Sequence, residues 1–304
     1  MTAVLIKAAT FVAIIFLGYF LRRIGFFQEK DFFLLSKIVI KITLPGAIAY
    51  SFASMELSPS MLVFMLFGFG GGILMILLGY LINAGKSREE QAFGMLNAAG
   101  YNIGNFALPF IQNFLGPVGV MTTSLFDSGN AVICLGGAYS VAAMVSGKSK
   151  GGNPLKVILQ SLTRSVPFMV YMIMIIICLL HIKLPQLVIS FAGTISNANA
   201  FMAMLMLGVG FKVELNKEYT GKLMKYLLLR YSAAAVLALI YYRFLPLDQE
   251  IRQTLAILAF APVASANPAF TGELKGDVGL SSALNSLSII TSVIVMTILL
   301  VVMA

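Results

Sequence analysis

The chain has 304 residues, of which 59% are hydrophobic and only 11% charged, against about 25% charged in an average soluble domain. Its 21 basic and 12 acidic residues are too few to cover the surface of a soluble globule of this size, and mean hydropathy is +0.94. This excludes an ordinary soluble enzyme, a disordered chain and a secreted disulfide scaffold, and leaves a polytopic helical membrane protein.

A spanning helix needs about 20 apolar residues. Ten apolar blocks follow one another, at 3–21, 32–53, 59–84, 91–114, 117–146, 166–182, 184–211, 219–244, 251–273 and 278–303. The basic pair Arg22–Arg23 follows the first block instead of preceding it, so that block reads as a retained span and not as a cleaved signal. The longest connection, Lys148 to Ser165, breaks at Gly-Gly-Asn-Pro. It continues as a short interfacial helix, Pro154 to Arg164, expected to turn Val157, Ile158 and Leu162 to lipid. Cys134 and Cys178 lie apart inside apolar blocks and His181 is the one histidine, so no disulfide, metal site or haem is expected, and no cofactor.

Lysines and arginines set the topology. Counted with the block ends that adjoin them, connections after odd-numbered blocks carry 14 of them and those after even-numbered blocks three, and the other four lie within blocks. The basic connections belong in the cytoplasm, which puts both termini on the extracytoplasmic side and makes the +9 net charge an orientation signal, with no nucleic-acid partner implied. The central connection separates five blocks from five: 1–147, a linker 148–165, and 166–304. With an odd number in each half, any structural repeat must be inverted, as in transporters with interrupted helices at matching positions.

The fourth and ninth blocks carry such interruptions. Block four reads Gly100-Tyr101-Asn102-Ile103-Gly104-Asn105-Phe106-Ala107-Leu108-Pro109, and block nine Ala261-Pro262-Val263-Ala264-Ser265-Ala266-Asn267-Pro268. Proline removes a helical hydrogen bond and disfavours helix before it, and freed backbone groups cannot face lipid. A proline kink satisfied by neighbouring helices explains one such block; two at matching positions favour a site. Opposed helices broken near the midplane would cross there, presenting helix N-termini and the amides of Asn102, Asn105 and Asn267 to a carboxylate.

The blocks that follow add polar clusters. Eighteen residues beyond Pro109 lies Asp127, the one acid well inside any block, with Ser124 and Asn130 beside it; seventeen beyond Pro268 lies Asn285. A carboxylate within the membrane marks function by default. Its role, as a proton site, a sodium ligand, a substrate contact or a structural brace, stays open among these. Lys41 is about 15 Å along its helix by rise, and snorkelling competes with anion attraction there. Arg230 and Lys7 read as interfacial. Pro45 is expected to kink the second block, with Asn197 and Asn199 in the corresponding place of the seventh, and the glycines at 68 and 70–72 suit close helix contact.

Leu44-Pro45, Asn102-Ile103-Gly104-Asn105 with Leu108-Pro109, Asp127-Ser128-Gly129-Asn130, and Ala261-Pro262 with Pro268 occur in an order that resembles the auxin efflux carrier family. That family includes bacterial permeases and plant PIN auxin transporters. The resemblance covers nearly the whole chain, and the short central connection is similar to the bacterial forms. It implies an all-α membrane protein of two inverted five-helix repeats with crossed broken helices 4 and 9. Spans 1, 2, 6 and 7 would form a scaffold, dimeric in many relatives, and spans 3–5 and 8–10 a transport domain moving by an elevator-like step. The implied substrates are organic anions such as dicarboxylates. The implied setting is the bacterial inner membrane, with lipids around a homodimer joined through its scaffold helices.

The leading expectation is a secondary transporter of a small organic anion. Asn102, Asn105, Pro109, Asn267, Pro268 and Asn285 would form the substrate site, with Asp127, Asn130 and Ser124 for coupling to protons or sodium. A membrane sensor binding a lipid or metabolite at the same crossover is the alternative. An intramembrane enzyme is disfavoured, since no second carboxylate and no placed nucleophile accompany Asp127.

Overall fold

The computed structural model describes residues 2–54, 56–149, 153–211 and 217–303. Lys150, Gly151 and Gly152 of the central connection and Lys212 lie outside them. The regular elements of the described residues are all helical, with no strand.

Helix α1 (Thr2–Arg23) ends on Arg22, whose guanidinium donates to the carbonyls of Val209 (2.7 Å) and Phe211 (2.6 Å) at the far end of α10 (Gln186–Gly210). Arginine there satisfies carbonyls a helix end leaves bare. Helices α2 (Asp31–Ile38) and α3 (Leu44–Ala53) are one run joined by a π-turn at Val39–Thr43, directly before Pro45. The wider turn accommodates a proline that would clash with the carbonyl four residues back. The same device precedes Pro109, where the π-turn Ile103–Ala107 opens α6 (Leu108–Val132).

Helix α4 (Val63–Leu81) packs on both α5 (Arg88–Ala98) and α6. Ser87 caps α5 by accepting from the Glu90 amide, a Ser-x-x-Glu box. Within α6, Gly116 is non-helical (φ +59°) and Pro117 follows. A straight 25-residue helix would run about 37 Å, yet Asn130 hydrogen-bonds Tyr101. The chain therefore doubles back at Gly116, and blocks four and five lie side by side. A π-turn at Ile133–Gly137 leads into α7 (Ala138–Val145).

Helix α8 (Pro154–Arg164) is amphipathic and meets α9 (Val166–Leu179) at an 80° bend. Val157 faces outward as expected. Leu162 does not: it is buried, and Ile158 turns in over Gly136. The expectation of a lipid-facing stripe through Ile158 and Leu162 is corrected, because the π-turn before α7 gives α8 a protein surface to cover. The remaining helices are α11 (Thr220–Phe244), α12 (Gln249–Ala259), α13 (Asn267–Glu273) and α14 (Val278–Met303).

Six stretches of the described residues are long and apolar enough to cross a membrane: Asp31–Ala53, Pro59–Leu81, Arg88–Val145, Gln186–Gly210, Thr220–Phe244 and Val278–Met303. The bent α8–α9 pair would make a seventh. Outward-facing Leu187, Val302, Phe244 and Phe33 are each more than 70% exposed, an apolar exterior suited to lipid and not to water.

Two groups of helices emerge from the packing. One contains α1, α2–α3, α9 and α10; the other α4–α7 with α11–α14. Among the described residues, side-chain hydrogen bonds join the groups at three places. Lys7 donates to the Asn113 carbonyl (3.0 Å). Gln112 donates to the Ser196 hydroxyl (2.9 Å) and carbonyl (3.0 Å) and accepts from Asn199 (3.0 Å), which in turn accepts from Thr43 (2.9 Å). The third joins Tyr171 to Asp127.

Inside the second group, α4 and α6 touch backbone to backbone. A Cβ on Gly129 would lie 1.8 Å from the Met65 carbonyl oxygen, and one on Gly68 would lie 1.9 Å from that of Phe126. Any side chain forces the helices apart, so Gly129→Val should cost at least about 1–3 kcal/mol. It should lower the melting temperature in detergent, whereas Gly70→Ala, with nothing within 4 Å of its Cβ, should leave it unchanged.

Candidate functional site

Helix α5 ends at Ala98 and residues 99–102 are unwound before the π-turn; α12 ends at Ala259 and 260–266 are largely unwound before α13. Gly100 takes φ +71°, and a Cβ there would meet the Cys134 sulfur at 2.7 Å and the Ala264 Cβ at 3.0 Å. The two breaks touch directly. The Asn102 amide donates to the Pro262 carbonyl (2.9 Å), the Asn267 side chain to the Ala99 carbonyl (3.3 Å), and Asn105 Nδ2 lies 3.4 Å from the Ser265 hydroxyl.

Arg230 holds the junction. It donates to the carbonyls of Ala98 (2.7 Å) and Gly100 (2.9 Å) from one break and of Ala261 (2.8 Å) and Pro262 (3.0 Å) from the other, with its guanidinium carbon 4.9 Å from the centre of the Tyr101 ring. Its residue is 1% exposed, so the interfacial expectation for Arg230 is corrected. The physical reason is the demand of unwound carbonyls in a place without water. The signal was in the sequence: Arg230 is the eleventh residue of the 25-residue α11, about 15 Å from its start and too deep to snorkel easily.

Each break is also braced from a helix that follows it. Asn130 accepts from the Tyr101 amide (2.9 Å) and donates to the Tyr101 carbonyl (2.9 Å), and the Cys134 thiol approaches the same carbonyl at 3.7 Å. On the other side, Ser288 accepts from the Val263 amide (3.2 Å), Asn285 donates to the carbonyls of Val263 (3.3 Å) and Ala264 (3.4 Å), and Ser292 donates to that of Phe260 (2.6 Å).

Beside the junction lies a cavity of about 430 Å³. Asn102, Asn105, Asp127 and Asn130 form its polar part, and Ile40, Leu44, Leu135 and Phe168 its apolar walls. Asp127 accepts from Asn130 (2.8 Å) through one oxygen and from the Tyr171 hydroxyl of α9 (2.9 Å) through the other. Both donors address it as a carboxylate. Asn105 Oδ1 is buried with no hydrogen-bond partner among the described residues. Since the Ser265 hydroxyl can donate or accept, the Asn105 amide can turn either its oxygen or its N–H₂ to a ligand.

Other sequence-selected residues are placed elsewhere. Ser124 is buried and donates to the Val120 carbonyl of its own helix (2.7 Å). Pro109, Asn267, Pro268 and Asn285 shape and brace the breaks and do not line the cavity. Lys41 is exposed on the outer face and does not line it either. Tyr171 and Arg164 do line it, and sequence reasoning passed over both. Nothing in the local pattern of α9 distinguishes Tyr171 from a packing aromatic, and Arg164 counted only toward topology. Among the described residues, no group of three or more His, Cys, Asp or Glu side chains is placed to hold a metal ion.

Helices broken in pairs and held mouth to mouth beside a polar cavity, within a body whose exterior is apolar, are the build of a membrane transporter. The model of the membrane transport protein family, that of the auxin efflux carriers, matches residues 3–154, and the chain belongs to that family. No curated protein sequence matches it.

Removing the Arg230 guanidinium leaves four buried carbonyls short of a donor, at about 1–3 kcal/mol for each group left bare. Arg230→Met should therefore unfold the crossover, seen as a large loss of melting temperature or of folded yield. Arg230→Lys should recover only part of it, because an ammonium lacks the planar fork that reaches both breaks.

Proposed function

We propose that this integral membrane protein is a secondary transporter of a small organic anion, a carboxylate, which binds at the crossover. The observation that carries the reading is the polarity of the junction. Arg230 occupies carbonyls of both breaks, while the side chains of Asn102 and Asn105 and the first residues of the π-turn, Ile103 to Asn105, line the cavity. A carboxylate is the complement of N–H groups at helix starts. A transporter needs no catalytic machinery, and the cavity's single acid offers none.

The same geometry supports ten passes arranged as inverted halves, 1–147 and 166–304, joined by the linker 148–165. Asp127, Asn130 and Cys134 lie 18, 21 and 25 residues beyond Pro109, and Asn285, Ser288 and Ser292 lie 17, 20 and 24 beyond Pro268. Asn130 and Cys134 bond the first break, and all three members of the second set bond the other. A constant offset of one residue across three matched positions is the mark of a repeat. The few hydrogen bonds between the two helix groups support an elevator-like step of α4–α7 and α11–α14 against α1–α3, α9 and α10. Homodimerisation through the latter group, in a bacterial inner membrane with both termini extracytoplasmic, belongs to the same proposal.

For coupling, Arg230 already fills the unwound carbonyls that would otherwise suit sodium. Asp127 is then the coupling residue, for protons, and Tyr171 and Asn130 are its partners. Proteoliposome uptake of malonate, malate and phenylacetate tests this. Uptake of at least one is expected, equal in sodium and potassium buffers and dependent on pH. Asn105→Ala should weaken apparent affinity about tenfold, the worth of one hydrogen bond to a charged group, and Asp127→Asn should remove the pH dependence. Sodium-stimulated uptake would refute the coupling assignment, and no uptake or binding of any organic anion would refute the transporter reading.

A further inference from the structure

We propose that Arg164 is the residue that admits anions to the crossover cavity, so that the linker between the two halves supplies the charge filter of the site. The proposal rests on the anion reading above and adds to it a residue and a route. Among the side chains that line the cavity, Arg164 is the one cation and Asp127 the one acid. Asp127 sits deep, with both oxygens engaged by Asn130 and Tyr171. Arg164 stands at the mouth, exposed, with no hydrogen bond or ion pair to any described residue.

Its position is fixed by packing. Helix α8 is pinned by buried Leu162 and by Ile158 over Gly136, and the 80° bend into α9 occurs at the residue after Arg164. The bend turns Ser161, Arg164, Ser165 and Phe168 to the cavity together. Helix α8 carries no acid, so the charge is not neutralised on its own element. Apolar walls beyond the mouth focus the field of such a charge inward. An anion would meet Arg164 first and the amides of Asn105 and Asn102 after it, while a small cation would be held off before reaching Asp127. An arginine at the end of an interfacial helix can also serve only as an anchor for lipid headgroups, and the test separates that role.

The test uses cysteine modification, which needs no knowledge of the substrate. In full-length protein with Cys134→Ala and Cys178→Ala, Ser265→Cys places one thiol in the cavity. The rates of its reaction with sulfonatoethyl methanethiosulfonate, an anion, and trimethylammonioethyl methanethiosulfonate, a cation, are compared in a neutral detergent at low ionic strength. The anion-to-cation rate ratio should fall about tenfold in Arg164→Gln and be kept in Arg164→Lys, consistent with one charge acting over a nanometre or less in a weakly screened site. The effect should shrink in high salt. A thiol at Ser60→Cys, outside the cavity, should show no change. Phe168→Cys, on α9, serves as a second cavity reporter should Ser265→Cys fold poorly. An unchanged ratio in Arg164→Gln overturns the proposal in favour of a headgroup anchor, and so does a cavity thiol that neither reagent reaches. Either result leaves the transporter reading to the uptake measurements, which can fail while the charge filter stands.

Discussion

One guanidinium ties together the two helix breaks of this protein. Arg230 reaches from α11 to four carbonyls, two from each helix break. Where water is excluded, each of those carbonyls left bare would destabilise the fold by more than a typical hydrogen bond contributes. Neither break is therefore stable alone: each needs the arginine, and the arginine, a buried charge, needs carbonyl oxygens from both, with the face of Tyr101 completing its surroundings. The unwound segments, the doubling back of α6 at Gly116 and the braces from Asn130, Asn285, Ser288 and Ser292 all converge on this junction.

That arrangement also sorts polarity. A helix break offers two unlike ends, carbonyls on one side and amides on the other. With four carbonyls of the breaks committed to Arg230, the cavity is left with the side chains of Asn102 and Asn105 and the start of the π-turn at Ile103. The opposite assignment would make a cation site of the same backbone. On the anion reading proposed above, the choice between anion and cation would be made on α11, by a residue that does not line the cavity.

Much of this was legible in the sequence, and the reason is that membrane constraints are severe. A proline after small and amide residues in mid-block has few explanations, and Asn102, Asn105 and Asn267 do lie at touching breaks. Asp127 stood out because no other acid lies well inside an apolar block. What was not legible depended on partners distant in the chain. Arg230 looked like one more basic residue because its acceptors are more than 30 residues away in one break and about 130 in the other. Asp127's second partner, Tyr171, comes from α9, 44 residues on, and no periodicity points to it. Ser124 matched the polar pattern, yet its hydroxyl is spent on its own helix. Composition says that a polar group is present, and only the fold says which way it faces.

The polar contact between Gln112 and α10 carries a further consequence. The buried stripe of α10 runs Ala192, Ser196, Asn199, Ala203, so Gln112 finds two polar rungs and then alanine in either direction. Were α6 to travel along α10 by a turn, the amide would be stranded against methyl groups with no water to replace what it lost. In the proposed elevator-like step the contact would therefore act as a detent with a single notch, and breaking it would be part of the barrier to movement of the unloaded protein.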